Sequence, residues 1–239
     1  LARGSHFSSY LVTENPMMPH RLIPVFLAVL GFALATGTPV VASESTFAPE
    51  VGQICRAQTR EAEKRHRLPK LVLSAISLAE SGRWHAGQRR SYPWPWTVTS
   101  GADSRYYPDK KAAIAAVRTL QARGVRNIDV GCMQVNLHYH PDAFSSLAEA
   151  FDPAANADYA ATFLKDLFRA THSWNRAIGR YHSATPGISE RYLQRVNSLW
   201  HGERVLDARL RREAVKAAYR QRQEARQTAW QGSLRNADG

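Results

Sequence analysis

The chain is poor in cysteine, in acidic residues and in long apolar runs, and each shortage narrows what it can be. Among 239 residues there are two cysteines, Cys55 and Cys132, far apart and without paired histidines, so no zinc-ligand spacing exists. His138 and His140 stand two apart in a loop before Pro141 and read as surface residues, so no metal and no cofactor is expected. One apolar run is prominent, Leu22 to Ala35, but Pro24 and Gly31 interrupt it and it is shorter than a typical membrane-spanning helix. Nothing later approaches that length, which argues against a stable membrane span once this segment is removed. Asp and Glu number 20 against 32 Lys and Arg, a formal net charge of +12. Such a balance suits an anionic partner or serves solubility alone. No repeat and no nucleic-acid motif is evident, so charge alone gives no ground for expecting nucleic acid.

What is present begins with a tripartite leader. Met17-Met18-Pro19-His20-Arg21 is a short basic stretch, the apolar run follows, and Val40-Val41-Ala42 supplies small residues where a signal peptidase cuts. A signal peptide over 17–42, cleaved after Ala42, is expected, with an uncleaved anchor as the alternative. Residues 1–16, with Gly4-Ser5-His6, read as an upstream extension or an expression scar, and 43–50 as a linker. Export to an oxidising compartment would permit a disulfide between Cys55 and Cys132.

The remainder reads as mainly α (α+β). Gln53 to Arg67 has helical spacing, and Pro69 opens a second helix that Ser81-Gly82 ends. Pro, Trp, Thr and Gly between Gln88 and Tyr107 favour a hairpin or an ordered loop. Asp109 starts a helix to Arg123, with Ala113, Ile114, Val117 and Leu120 on one face and Gly124 as its stop. Pro141 to Phe151 is a short helix. Asp152 caps a longer one with Pro153 in its first turn and Ala160, Phe163, Leu164, Leu167 and Phe168 as its buried stripe. Trp174–His182 and Ser189–Trp200 follow, the latter with Tyr192, Val196 and Leu199 inward. From 201 to 239 a basic helical tail is expected that buries little beyond Glu203 and frays from Gly232.

One residue in this plan carries chemistry. Leu71, Val72, Leu73, Ala75, Ile76, Leu78 and Ala79 make the second helix apolar on nearly every side, and Glu80 closes it. The negative end of the helix dipole opposes ionisation there, and burial raises a carboxyl pKa further, so Glu80 is a candidate for an acid still protonated near neutral pH. The alternative is an exposed helix-end glutamate just past the buried stretch.

Glu80-Ser81, then Gly131-Cys132-Met133-Gln134-Val135-Asn136, then Arg180-Tyr181-His182-Ser183-Ala184 followed by Tyr192 and Val196, stand in the order of three motifs. Together they resemble the soluble-type lytic transglycosylases (the SLT domain), which share the lysozyme-like fold and are related to goose lysozymes. The resemblance covers residues 51–200. It implies a lysozyme-like domain with a small hairpin element that cleaves the MurNAc-GlcNAc β-1,4 bond of peptidoglycan in the periplasm and leaves 1,6-anhydroMurNAc. Glu80 would be the single general acid/base, and Tyr181 would hydrogen-bond it. Ser81 would bind a sugar or acetamido group, or cap the helix end. Cys132 takes the place of an apolar family residue, so a buried thiol fits there as well as a bridge does. Met133 would line the glycan groove or fill the core, and His182 stands where the family has asparagine.

Gln134 and Asn136 alternate with Val135, so an extended stretch would turn both amides to one side, where they suit sugar hydroxyls and acetamido groups. Asp129 is the one obvious second carboxylate near the motifs, and a goose-lysozyme-like hydrolase would need it. Trp84, Trp94, Trp96, Tyr106 and Tyr107 either stack on sugar rings or pack the insertion against the body, packing being favoured. The expected partners are glycan strands, with the chain a monomer. A rival from another class is a wall-binding accessory protein of a secretion or flagellar apparatus, suggested by the basic tail.

Overall fold

The computed structural model describes residues 49–237. The expected leader at 17–42, the stretch 1–16 and linker residues 43–48 lie outside the described residues. In chain order the elements are α1 (Pro49–His66), α2 (Val72–Ser81), β1 (Gly82–His85), β2 (Arg90–Pro93), β3 (Thr97–Ser100), β4 (Asp103–Tyr106) and α3 (Lys110–Ala122). Then come β5 (Asp129–Val130), β6 (Val135–Asn136), α4 (Leu147–Ala150), α5 (Pro153–Thr171), α6 (Trp174–His182) and α7 (Ile188–Ala237). The fold is mainly α with two small antiparallel sheets, β1-β2 and β4-β3-β5-β6, as the sequence predicts.

Helix α2 lies at the centre. Val72 to Ala79 are all buried, and α1, α7 and part of α5 surround them. Its start differs from expectation, at Val72 and not Pro69. Leu71 sits in the left-handed region at φ 67°, which breaks the helical path, and it offers no side-chain cap. The carboxylate of Glu63 on α1 replaces that cap by accepting the N–H groups of Leu71 (2.8 Å), Leu73 (2.8 Å) and Ser74 (3.1 Å). A second apolar cluster, built on Val98, Val117, Ile128, Val130 and Phe151, joins the larger sheet to α3 and α4.

The predicted caps at Asp109 and Asp152 are present, Asp109 accepting from Ala112 N and Asp152 from Ala154 N and Ala155 N. Of the predicted α5 stripe, Ala160 and Leu164 are fully buried while Phe163, Leu167 and Phe168 are half-buried. The helix expected over 141–151 contracts to Leu147–Ala150, because its N-cap is Ser146, whose hydroxyl accepts from Glu149 N.

The largest departure is α7, which runs unbroken through the expected domain edge at 200. Glu203 and Asp207 are buried on it: Glu203 pairs with Arg56, and Asp207 with Lys70 (2.9 Å), Arg211 (2.9 Å) and Arg60 (3.4 Å). The expectation that the chain buries little beyond Glu203 holds only after Ala208, where Leu210, Val215 and Tyr219 are exposed. No helix among the described residues is long and apolar enough to cross a membrane.

Candidate active site

Glu80 occupies the last turn of α2, where two hydroxyls and a glycine fix the helix end. Ser77 and Ser81 both donate to the Cys132 carbonyl, at 3.0 and 2.8 Å, and Ser81 also donates to Ser77 O. Gly82 follows because a Cβ there would lie 2.3 Å from Leu78 O. A disulfide between Cys55 and Cys132, with Cα atoms 5.7 Å apart, ties this same strand-to-strand segment to α1. Ser81 is therefore fully buried beneath the site and holds backbone at the helix end, the second of its two expected roles and not the contact with sugar.

The 131–136 turn is built around Asn156 of α5, also fully buried. Its Oδ1 accepts from Met133 N (2.9 Å), and its Nδ2 donates to Val130 O (3.1 Å) and Ala150 O (3.0 Å). Gly131 sits at φ 83°, and a Cβ there would meet Asn156 Nδ2 at 2.5 Å, so only glycine fits. This turn sends Met133 into the main core with no exposed surface, so of its two expected places it fills the core and does not line the groove. Gln134 is also not extended, at φ 48°, so the simple alternation fails. Its Nε2 donates to Gly131 O (3.0 Å) and Thr97 O (3.1 Å). Asn136 is in β6, and its Nδ2 donates to Asp129 Oδ1 (2.7 Å) and Asn127 Oδ1 (2.5 Å), while its Oδ1 accepts from His138 N and Tyr139 N. Both amides still border the groove, but each is engaged in holding the turn.

That groove has a volume of about 550 Å³. Glu80 opens onto it together with Asp129, Gln134, Asn136, Tyr181, His182 and Arg195, and Tyr106, Tyr139, Tyr159 and Phe163 supply aromatic walls. Of the insertion aromatics, Trp94 is buried and donates its indole N–H to Tyr107 O (2.6 Å), while Trp96 meets it edge-on, so both pack the body. Tyr107 also packs, against the second cluster. Tyr106 alone of the five lines the groove. His140, expected at the surface, is half-buried and lines the groove with its Nδ1 2.9 Å from Tyr159 OH. His138 lies outside the groove, and no group of potential ligands for a metal ion occurs among the described residues.

The tyrosine that touches the acid is Tyr192, not Tyr181. Tyr192 OH donates to Glu80 Oε1 at 2.5 Å, and the His182 ring stacks on Tyr192 at 4.8 Å. Tyr181 is one layer away and donates to Met133 O at 3.0 Å. Register on α7 explains the exchange: an inward position on a long helix reaches the end of α2, whereas Tyr181 on α6 meets the turn. The inward spacing of Tyr192 and Val196 was the available signal. Burial pushes the Glu80 carboxyl up to about 7; the Tyr192 hydrogen bond and Arg195 oppose the rise, and Asp129 adds to it. Burial also raises Asp129, against its bond from Asn136 and the nearby His182 and His140.

No protein-family model, curated protein or solved structure matches the chain. The functional reading therefore rests on the groove itself: one partly buried carboxyl that burial pushes up to about 7, held at Oε1 by a phenol, in a cleft edged with amides and aromatic rings.

Proposed function

We propose that the chain is a peptidoglycan lytic transglycosylase of lysozyme-like type, with Glu80 as its single general acid/base. The observation that carries this reading is the Glu80 carboxyl, raised to about 7 by burial at the edge of an open groove. A carboxylic acid that keeps its proton at working pH can give it to a glycosidic oxygen. In the proposed reaction Glu80 protonates the oxygen leaving C1 of N-acetylmuramic acid, and the C1–O bond breaks as positive charge develops at C1. The C6 hydroxyl of the same sugar attacks C1, Glu80 takes that hydroxyl proton back, and a 1,6-anhydro ring closes. Tyr192 would hold the carboxyl in place through both transfers. The motif order at Glu80, Gly131–Asn136 and Arg180–Ala184 supports the same chemistry by resemblance, and no cofactor is needed for it. Glycan strands in the periplasm are the proposed substrate, and a monomer would suffice.

Asp129 favours a second reading, goose-lysozyme-like hydrolysis, because it borders the same groove and interacts electrostatically with Glu80. Digestion of purified peptidoglycan by the wild type and by Glu80→Gln, with mass analysis of the glycan ends, separates the two. Anhydro ends that vanish in Glu80→Gln support transglycosylation, whereas reducing ends assign hydrolysis. Failure of the folded wild type to cut would sink both and leave a wall-binding accessory role in a secretion or flagellar apparatus.

A further inference from the structure

The side chain of Arg195 opens onto the same groove as Glu80 and Tyr106, one turn beyond Tyr192 on α7, and it is exposed. It makes no hydrogen bond or ion pair with any described residue. Arg56, Arg60, Arg65, Arg105, Arg169 and Arg211 are all paired with carboxylates. Arg83, the other guanidinium at this end, lies over the rings of Trp94 (4.9 Å) and Tyr106 (5.6 Å). Tyr106 OH is itself directed to Gly82 O (2.9 Å). At this end of the groove Arg195 thus presents a positive charge whose donors are open to a ligand.

That charge works against the acid beside it. A cation next to Glu80 favours the carboxylate and draws its pKa down, against the larger upward push of burial. A neutral ligand would leave this conflict in place, whereas a ligand carrying a carboxylate would occupy the guanidinium and relieve it. Arginine is also the side chain best shaped for a carboxylate, which it can grip through two parallel N–H bonds.

We propose that Arg195 is an anion subsite that takes a carboxylate carried by the glycan next to the scissile bond. The proposal rests on the glycan-cleaving reading of Glu80. Two sources of such a carboxylate exist on a muramyl sugar: the lactyl group when it bears no peptide, and the acidic residues of a peptide attached to it. A glycan of N-acetylglucosamine alone has neither.

Calorimetric titration tests this with Glu80→Gln and with Glu80→Gln/Arg195→Gln, so that no ligand is consumed. The three ligands are a muramyl tetrasaccharide with its peptides, the same sugar with peptides removed and lactyl carboxylates free, and chitotetraose. Loss of Arg195 should weaken a carboxylate-bearing ligand about tenfold and leave chitotetraose within about twofold. A loss confined to the peptide-bearing ligand places the carboxylate on the peptide, and a loss on the stripped sugar places it on the lactyl group. Arg195→Lys should recover part of the lost affinity, since the charge returns without the planar fork. Equal weakening of all three ligands, or of none, would overturn the subsite. If Glu80→Gln binds no ligand and the wild type cuts no wall, the glycan reading itself falls and the subsite with it.

Discussion

Glu63 and Glu80 stand at opposite ends of α2, and both are held away from bulk water. Glu63 accepts at both oxygens, from Leu71 N at Oε2 and from Leu73 N and Ser74 N at Oε1. Burial raises its carboxyl while those three N–H groups pull it back. Among the described residues Glu80 has one hydrogen-bond partner, Tyr192 at Oε1, and its Oε2 has none. The helix dipole sharpens the contrast, because its positive end faces Glu63 and its negative end faces Glu80. Burial by itself therefore does not set the two carboxyls apart. What separates these two is an oxygen left open to a groove, on the end of the helix where a proton is easier to keep.

The comparison breaks most visibly if the two carboxylates are removed in turn. Glu80→Gln should lose wall cleavage by about a thousandfold or more, because in the proposed reaction Glu80 gives the leaving oxygen its proton. It should also become more stable. The folded state binds the Glu80 proton more tightly than the unfolded chain does, its pKa being about 7 against an ordinary 4.5. Stability is therefore lost as pH rises through that window, and the amide variant should recover up to roughly 3 kcal/mol above pH 7. Urea unfolding at pH 5 and pH 8 measures it; a variant less stable than the wild type at pH 8 would contradict the raised pKa.

Glu63→Ala is the mirror case. Three buried N–H groups at the start of α2 lose their acceptor, so unfolding free energy should fall by about 3 kcal/mol or more. Near-unchanged activity per folded molecule is expected at a temperature where the variant remains folded. Circular dichroism melts with rates normalised to folded protein check both halves. A stable but inactive Glu63→Ala would mean that the two ends of α2 are not separable.

The two ends were not equally legible in the sequence. An apolar run that stops at Glu80-Ser81-Gly82 reveals the groove end, because helix period, burial and a terminal carboxylate are all local signals. Glu63 is invisible by the same method: its partners lie eight to eleven residues on, and only the left-handed turn at Leu71 brings them round. The capped starts of α3 and α5 were readable from Asp109 and Asp152 for the local reason, as was the overall mainly α class. Asn156 and Arg195 depend on which helix faces which, and nothing in their neighbours reports that. The inward spacing of Tyr192 and Val196 reports that Tyr192 is buried but not that it meets Glu80. For Ser81 and Met133 the sequence leaves sugar contact and a supporting role both open, because motif membership does not distinguish a side chain that touches ligand from one that holds the turn beneath it. The length of α7 was missed because the buried ion pairs of Glu203 and Asp207 join it to α1 and to Lys70, far away in sequence.

Tyr192→Phe sharpens the contrast by giving Glu80 a second open oxygen while keeping the ring against His182. The lost hydrogen bond favoured the charged carboxylate, so its removal should raise the Glu80 pKa further. Activity requires the protonated acid and falls as pH passes that pKa. The alkaline limb of kcat/KM should thus begin near pH 7 in the wild type and move upward in Tyr192→Phe, with a loss of about tenfold at the optimum from poorer positioning. An unmoved limb would mean that the phenol does not sense the ionisation of Glu80.

Asp129→Asn tests a like charge beside Glu80, whereas the neighbouring charge that acts on Glu63 is Arg60, of opposite sign. Asp129 pushes the Glu80 pKa up, so neutralising it should shift the alkaline limb down, opposite in sign to Tyr192→Phe. The amide keeps its Oδ1 for the bond from Asn136, so the 131–136 turn should survive. If transglycosylation is the reaction, the rate at the optimum should stay within a few-fold, since no second carboxylate is needed to form the anhydro ring. Loss of essentially all cleavage in a folded Asp129→Asn would instead make Asp129 a nucleophile or a base for water, and Glu80 one member of a hydrolase pair. The direction of the limb and the size of the rate change are independent readouts, so a purely electrostatic neighbour and a chemical partner give different pairs of results.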